Sequence, residues 1–223
     1  PGRARGRHAV KERPILFSAP MVRAILDGRK TQTRRPLKRQ PAVIADAISP
    51  LGAAGDRLWV RESWRYHDWT GDGLPWVQYA ADDARRLCER IPADWSERVE
   101  GEWATLSDPL NIAIDGAARD RRWRPSIHMP RWASRLTLDV TAVRVERLQA
   151  ITEADAIAEG ARRFDDLPAG RFATDARWSM DLPLSTDQCL GTARPAFGNL
   201  WDRVSAAMPR ASNPWAWVVE LKR

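Results

Sequence analysis

The chain has 223 residues, of which 43% are hydrophobic and 29% charged, and this composition is typical of a globular protein rather than a disordered one. No apolar run approaches the roughly 18 residues that a membrane-spanning helix needs, and no apolar segment with a cleavage site follows the first residues, so we expect neither membrane association nor a secretory signal. The net charge of +7 favours a polyanionic or phosphate-bearing partner.

The cysteine and tryptophan contents further narrow the class of protein and the kind of ligand. The sequence has two cysteines, Cys88 and Cys189, which predicts neither a disulfide framework nor a zinc site and fits a reducing cytoplasm. It has 12 Trp against 4 Phe and 2 Tyr. Tryptophan fills cores, but it also offers a flat face on which a nucleobase can stack.

The first elements are a basic arm, a strand and a short helix. We expect a flexible basic arm over residues 1–13 and a single domain over residues 14–223. Residues 14–18 have the composition of a strand. Residues 19–28 predict a helix, with Pro20 near its start and Gly28 at its end.

The middle of the chain is less regular. Residues 51–64 predict a glycine-rich turn that leads into a strand, in which Leu58 and Val60 alternate with polar or aromatic neighbours. Residues from about 65 to 118 are polar and weakly periodic, so we expect an insertion with one strand over residues 76–80 and a short helix.

The last third returns to clear elements. Residues 135–148 predict a long strand whose apolar face changes parity, which indicates a bulge near Ala142. Thr152 and Asp155 form a capping pattern for a helix that ends at Gly160. A helix near residues 193–207 and a strand over residues 213–223 follow. Strands outnumber helices and do not alternate with them regularly, so the sequence predicts an α+β fold built on a small mixed β-barrel.

The segment GRKTQTRR, residues 28–35, is the strongest candidate for chemistry. The nucleotide-binding, hydrolase and zinc-protease motifs are absent from the sequence, and the three histidines lack metal-ligand spacing. Lys30 and Thr33 are three residues apart, close enough to face one pocket if the segment is helical or a tight turn. The flanking Arg29, Arg34 and Arg35 should lower the pKa of Lys30. A neutral lysine can take a proton from a threonine hydroxyl, although a basic run is often only a solvated surface.

GRKTQTRR resembles the G-x-K-x-x-[ET]-x-R signature of the ASCH superfamily, whose fold is a PUA-like β-barrel. The segment is most similar to that of the bacterial N4-acetylcytidine amidohydrolases. The segments RPILFSAPMVRAILDGRKTQTRR, GDRLWVRESW, PSIHMPRWASR, ITEADAIAEG and NPWAWV resemble the longer ASCH proteins of phages and prophages. We therefore expect a cytoplasmic location, which is the bacterial host cytoplasm if the protein is phage-encoded.

The resemblance also implies roles for individual residues. Lys30 and Thr33 match the catalytic lysine and threonine, and Glu159 matches the catalytic glutamate, with Glu153 as the weaker alternative. No metal or organic cofactor is implied. Further substrate-binding candidates come from the segments that carry the resemblance: Arg35, Arg61, Glu62, Trp64, Ser126 and His128.

Three functions stay open at this point. The first is an amidohydrolase that removes an acyl group from N4 of cytidine or a related modified nucleoside, with Thr33 as nucleophile and Lys30 as its base. The second is a non-catalytic PUA-like module that binds RNA or modified DNA, which the basic arm and the tryptophans also suit. The third is a ribonuclease, which no histidine pair supports. The oligomeric state is undetermined by the sequence.

Overall fold

The computed structural model describes residues 9–40, 48–107, 122–170 and 175–223. Its internal contacts divide the chain into two units. The first unit comprises Pro1–Arg13, Ala24–Leu58 and Thr137–Arg223, and the second comprises Pro14–Arg23 and Trp59–Leu136. None of the described helices is long and apolar enough to cross a membrane.

The described residues have a mixed α+β architecture, with ten strands in three sheets. The largest sheet has the order β1 (Glu12–Leu16), β3 (Arg57–Arg61), β7 (Thr137–Arg147), β10 (Trp215–Lys222) and β2 (Gln32–Pro36). Within the described ranges each sheet is open, so the expected barrel closure is not seen there.

The sheet of the first unit is built around β10. This strand pairs antiparallel with β2 on one side, with Val219 opposite Thr33. It pairs antiparallel with β7 on the other side, with Val219 opposite Val143. The register shifts between Glu220 and Leu221, because β7 carries an extra residue there, and this confirms the bulge predicted near Ala142.

Helices α3 (Glu153–Ala158) and α4 (Ala193–Val204) complete the first unit, together with the small sheet of β8 (Arg162–Arg163) and β9 (Trp178–Ser179). The Thr152 side chain caps α3 by accepting from Asp155 N, and Asp155 reciprocates with the Thr152 backbone, so the predicted capping box is confirmed. Both helices are short amphipathic elements whose stability depends on packing rather than on intrinsic propensity.

The second unit holds an antiparallel sheet of β4 (Trp64–Trp69), β5 (Pro75–Tyr79) and β6 (Arg85–Leu87), followed by α2 (Ala93–Ser107). A buried aromatic and apolar cluster forms its core: Trp64, Tyr66, Val77, Tyr79, Cys88, Met129 and Ala133. Trp64 and Tyr66 meet edge to face, with ring centroids 5.1 Å apart, which is a preferred aromatic geometry.

Several predicted elements are confirmed and some are corrected. Helix α1 (Ala19–Leu26) ends before Gly28, as predicted. The arm was expected to extend to residue 13, but its last two residues belong to β1; residues 1–8 lie outside the described part. The segment from 65 to 118 has more structure than predicted: β4 and β6 flank the expected strand, and α2 is 15 residues long. Residues 108–118 lie outside the described residues.

Candidate active site

The Lys30 segment is fixed by a turn after α1 and by the end of α3. Gly28 has a φ of +73°, which reverses the chain in a conformation that favours glycine. The backbone N–H groups of Arg29 and Lys30 both donate to Ala24 O at 2.9 Å. Thr31 N donates to Ala158 O at 2.9 Å, so the segment is tied to α3 before β2 begins.

Glu159 is placed by the other side of this junction. It is the C-cap residue of α3, and Gly160 follows with a φ of +110°. A Cβ atom on Gly160 would lie 3.0 Å from the Ala24 Cβ. This close approach brings the end of α3 against the end of α1 and sets Glu159 beside Lys30.

Lys30 and Glu159 form a buried ion pair, although 129 residues separate them in the chain. Lys30 Nζ donates to Glu159 Oε2 at 2.8 Å, to Glu159 O at 2.9 Å and to Gln32 O at 2.7 Å. The side chains are 0% and 3% exposed. Three acceptors match the three protons of an ammonium group, so the pair satisfies the hydrogen-bonding capacity of Lys30.

Burial is the main cause of the shifted pKa of Lys30. It lowers the pKa of Lys30 below the ordinary value of 10.5, and Glu159 opposes this shift. Arg35 and Arg34 lower this pKa as well, but by less. The predicted direction is confirmed; the predicted cause was the flanking arginines, whereas desolvation is the larger contribution.

Arg34 extends the pair into a charged network on one side of the sheet. Its buried guanidinium contacts Glu159 Oε1 at 3.3 Å, Glu146 Oε2 at 3.1 Å and Asp155 Oδ2 at 3.3 Å. Gln32, two residues before it, donates to Asp155 Oδ1 at 3.3 Å. We call the side of the sheet that carries Gln32 and Arg34 the helix face, because Asp155 and Glu159 belong to α3 and its cap.

Thr33 lies between these two residues and is 2% exposed. Successive side chains of a strand point to opposite sides, so the Thr33 side chain projects away from the helix face. Residues paired across an antiparallel sheet share a side. Thr33 and Arg35 therefore share a side with their partners on β10, and those partners share it with their own partners on β7. We call this side the Thr33 face. Besides Thr33 and Arg35 it carries Val143, Val145, Trp217 and Val219.

The Lys30 amine lies at the outer edge of β2. Leu221 N donates to Thr31 O and Leu37 N donates to Trp215 O, so the odd-numbered residues of β2 direct their backbone groups towards β10. The carbonyl of Gln32 consequently points to the unpaired edge, where Lys30 Nζ binds it. The structure brings Lys30 and Glu159 together there, whereas the Thr33 side chain projects to the other side of β2.

Glu153, the alternative to Glu159, has a different position. Its carboxylate accepts from Thr192 Oγ1 at 2.7 Å and from Ala193 N at 2.9 Å. It therefore caps the N-terminus of α4, where a negative charge is favourable. Among the two glutamates of the segment, Glu159 is the one that contacts Lys30.

Three of the other predicted residues lie in the second unit, at β3 and β4. Arg61 donates to the carbonyl of Ile127. Glu62 is 1% exposed and forms a two-pronged pair with Arg135, both oxygens at 2.9 Å; burial raises the pKa of Glu62, and Arg135 opposes this. Trp64, predicted to stack on a substrate, is 1% exposed, so its ring serves as a core residue.

Ser126 and His128 form one 3-10 turn, Ser126–His128, also in the second unit. The N–H of His128 donates to Pro125 O at 3.0 Å. The His128 side chain is exposed and the Ser126 side chain is half-buried. Within the described ranges, no group of three or more His, Cys, Asp and Glu side chains is arranged to hold a metal ion.

The network residues Glu146 and Asp155 were not predicted as site residues. Asp155 was recognised from its capping pattern alone, and Glu146 looked like an ordinary polar residue of β7. Their contact with Arg34 depends on strand register and on the packing of α3, which no local sequence signal reports.

A scan against protein-family models, a search of curated proteins and a search of solved structures each found no match. The resemblance to the ASCH superfamily therefore stays a prediction.

Proposed function

We propose that this protein is an amidohydrolase with a PUA-like barrel that removes an acyl group from N4 of an acylated cytidine or a related modified nucleoside. One observation supports this most: the ion pair of Lys30 and Glu159. Each residue was selected by a different sequence segment, and the two segments are far apart in the chain. A contact at 2.8 Å between their charged groups supports the part of the proposed catalytic set in which a third residue orients the base.

In the proposed reaction, the Thr33 hydroxyl attacks the acyl carbonyl and Lys30 in its neutral form accepts the hydroxyl proton. Because the Thr33 side chain projects away from the side of β2 on which Lys30 contacts Glu159, this transfer runs through one water molecule or follows a movement of the Lys30 amine on substrate entry. The tetrahedral intermediate collapses by re-forming the C=O bond and breaking the C–N bond, and the exocyclic nitrogen takes the proton that Lys30 accepted and leaves as an amine. Water then hydrolyses the acyl-threonine ester, which releases the carboxylic acid and restores the hydroxyl. Glu159 holds the Lys30 amine in place, and Arg35 is a substrate-positioning residue on the Thr33 face.

The burial of the catalytic groups adds a requirement. Lys30 is 4% exposed and Thr33 is 2% exposed, so substrate entry must uncover them. Burial also favours the chemistry, because it lowers the pKa of Lys30 and so increases the fraction of neutral amine at a given pH.

The test is hydrolysis of N4-acetylcytidine to cytidine, followed by chromatography. Thr33→Val keeps the side-chain shape and removes the hydroxyl, and we expect it to abolish turnover. Thr31→Val is the matched control, because Thr31 lies on the same segment, two residues away, and is exposed. Equal rates in the wild type and the Thr33 variant would exclude Thr33 as the nucleophile.

A second candidate function is a binding module for RNA or modified DNA. The second unit supports it with an exposed aromatic and basic pair: Trp123 is 41% exposed and the Arg65 guanidinium lies 4.4 Å from its ring centroid. Absence of hydrolysis together with salt-dependent RNA binding, reduced by Trp123→Ala, would favour this module over the enzyme.

A further inference from the structure

A cavity of about 380 Å³ opens on the Thr33 face of the first unit. Val143 and Trp217 contribute to its wall, and both belong to the side of the sheet that carries Thr33 and Arg35. Trp217 is directly opposite Arg35 in the pairing of β10 with β2. The volume lies at the lower end of the range for small-molecule sites, which suits a ligand of about one nucleotide.

The wall of this cavity is held in place by a buried carboxylate. Asp56 is 2% exposed, and its oxygens accept from Lys11 N at 3.0 Å and from Ala53 N at 3.1 Å. Gly52 has a φ of +98°, and a Cβ atom there would lie 2.7 Å from Asp56 Oδ2. The loop before β3 is therefore packed tightly against the start of β1, so the cavity is preformed.

Two cations line the cavity. Lys11 and Arg13 are two residues apart in extended chain, which places both side chains on the same side. Arg13 NH1 donates to Pro50 O at 3.0 Å, while its Nε–H is buried without a hydrogen-bond partner among the described residues. Pro50 O takes one of the five N–H donors of this guanidinium, so its terminal N–H groups can bind an anionic acceptor in the cavity.

The wall also contains an aromatic residue and a small polar group. Trp217 lines the cavity and is 7% exposed. Ser49, which is also part of the lining, accepts from Leu51 N at 3.1 Å and keeps its hydroxyl proton to donate. An aromatic residue in the wall beside two cations matches a ligand that combines a planar base with a phosphate.

We propose that this cavity binds a nucleoside monophosphate unit, with the base against Trp217 and the phosphate on Arg13 and Lys11. The choice of cytosine as the base rests on the proposed function, whereas the assignment of a phosphate site at Arg13 and Lys11 does not. A free nucleotide and a nucleotide within RNA share this chemistry, and the experiment distinguishes them.

Calorimetry with the Thr33→Val variant, which cannot turn over substrate, tests the site with three probes: cytidine, cytidine 5′-monophosphate and a pentacytidylate without a terminal phosphate. We expect the monophosphate to bind about tenfold more tightly than cytidine, since a charge-assisted phosphate contact is gained. Arg13→Gln should remove that difference and leave cytidine binding unchanged. If the pentacytidylate binds and the monophosphate does not, and Arg13→Gln weakens that binding, then the site recognises a phosphate within RNA rather than that of a free nucleotide.

Arg57→Gln is the matched control. Arg57 N donates to Lys11 O, so Arg57 neighbours the same strand, but its side chain pairs with Asp139 and does not line the cavity. Lys11→Met is a second variant that leaves the Arg13 contact with Pro50 intact, and it should weaken monophosphate binding about threefold. Equal affinity for cytidine and the monophosphate, or equal losses in the Arg13 and Arg57 variants, would overturn the proposal.

Failure of this site and failure of the enzyme are separable. Hydrolysis of N4-acetylcytidine with no phosphate preference would overturn only the phosphate site. Phosphate-dependent binding without hydrolysis would overturn only the amidohydrolase.

Discussion

The two units differ in net charge and in tryptophan content. The second unit contains 13 basic and 13 acidic residues, so the net charge of +7 belongs entirely to the first unit. The second unit instead contains eight of the 12 tryptophans. Charge and aromatic content, which together suggested a nucleic-acid partner, are thus properties of separate regions.

This division changes what each signal means. Several tryptophans of the second unit build its core, as Trp64 does beside Tyr66 and Trp132. The aromatic count there reflects packing more than ligand binding. In the first unit, the charge surrounds both the Lys30 pair and the cavity at Arg13, where it can act on an anionic ligand.

Both units nevertheless contain a buried ion pair: Lys30 with Glu159 in the first, and Arg135 with Glu62 in the second. Arg135 is bidentate on Glu62, and its guanidinium lies 4.0 Å from the Tyr79 ring centroid. Arginine stays charged and serves as a structural anchor, whereas lysine shifts its pKa readily when buried. The difference is a reason to assign chemistry to the first unit.

The largest expected effect tests whether the second unit uses tryptophan for packing. Trp64→Ala should destabilise the protein by about 3–5 kcal/mol, because it removes a fully buried aromatic side chain and leaves a cavity. Trp123→Ala, at a 41% exposed position in the same unit, should cost within about 0.5 kcal/mol. Urea unfolding followed by circular dichroism measures both. Similar losses at the two positions would contradict the packing interpretation.

The next effect concerns the ion pair of the first unit. Lys30→Met removes the closest cation from the buried Glu159 carboxylate and leaves Arg34 at 3.3 Å, and we expect a loss of about 3 kcal/mol in the free energy of unfolding. The double variant Lys30→Met with Glu159→Leu should recover most of that loss, because no unpaired charge remains. A single variant as stable as the wild type would show that the pair contributes nothing to folding.

A smaller effect tests the junction that aligns the pair. Gly160→Ala should cost about 2 kcal/mol, because φ is +110° and the new Cβ would lie 3.0 Å from Ala24 Cβ. Gly28→Ala is the matched control: its φ is +73° with no atom within 4 Å of a new Cβ, so we expect about 1 kcal/mol. Thermal unfolding compares the two, and equal losses would show that close packing at Gly160 has no role.

The smallest effect is a difference in pH dependence between the two units. The folded-state pKa of Lys30 lies below 10.5, so its contribution to stability is present above that pH and is lost as pH falls through the folded pKa. The folded-state pKa of Glu62 lies above 4.5, so its contribution is present below that pH and is lost as pH rises through the folded pKa.

Unfolding free energies measured from pH 4 to pH 11 test these two pH dependences, one for Lys30 and one for Glu62. Lys30→Met should flatten the alkaline slope just below pH 10.5 and leave the acid slope unchanged. Glu62→Gln should flatten the slope just above pH 4.5 and leave the alkaline one unchanged. A change of both slopes by one variant would show that the shifts are not local to the two pairs.

The sequence by itself determined the local elements of this protein. The end of α1 at Gly28, the capping box of Thr152 and Asp155, and the bulge of β7 all follow from short patterns, because caps, turns and strand parity depend on neighbouring residues. The segment around Lys30 was also recognisable, since its residue types and spacing suit one proposed reaction.

Only the tertiary structure decided which charges meet and which aromatic rings are buried. The contact of Lys30 with Glu159 spans 129 residues, and it depends on how α1, β2 and α3 pack. Trp64 looked like a stacking face, but its strand places it in a core. Periodicity reports which side of an element is apolar, whereas the register of strands and the packing of helices select the partner that each side chain finds.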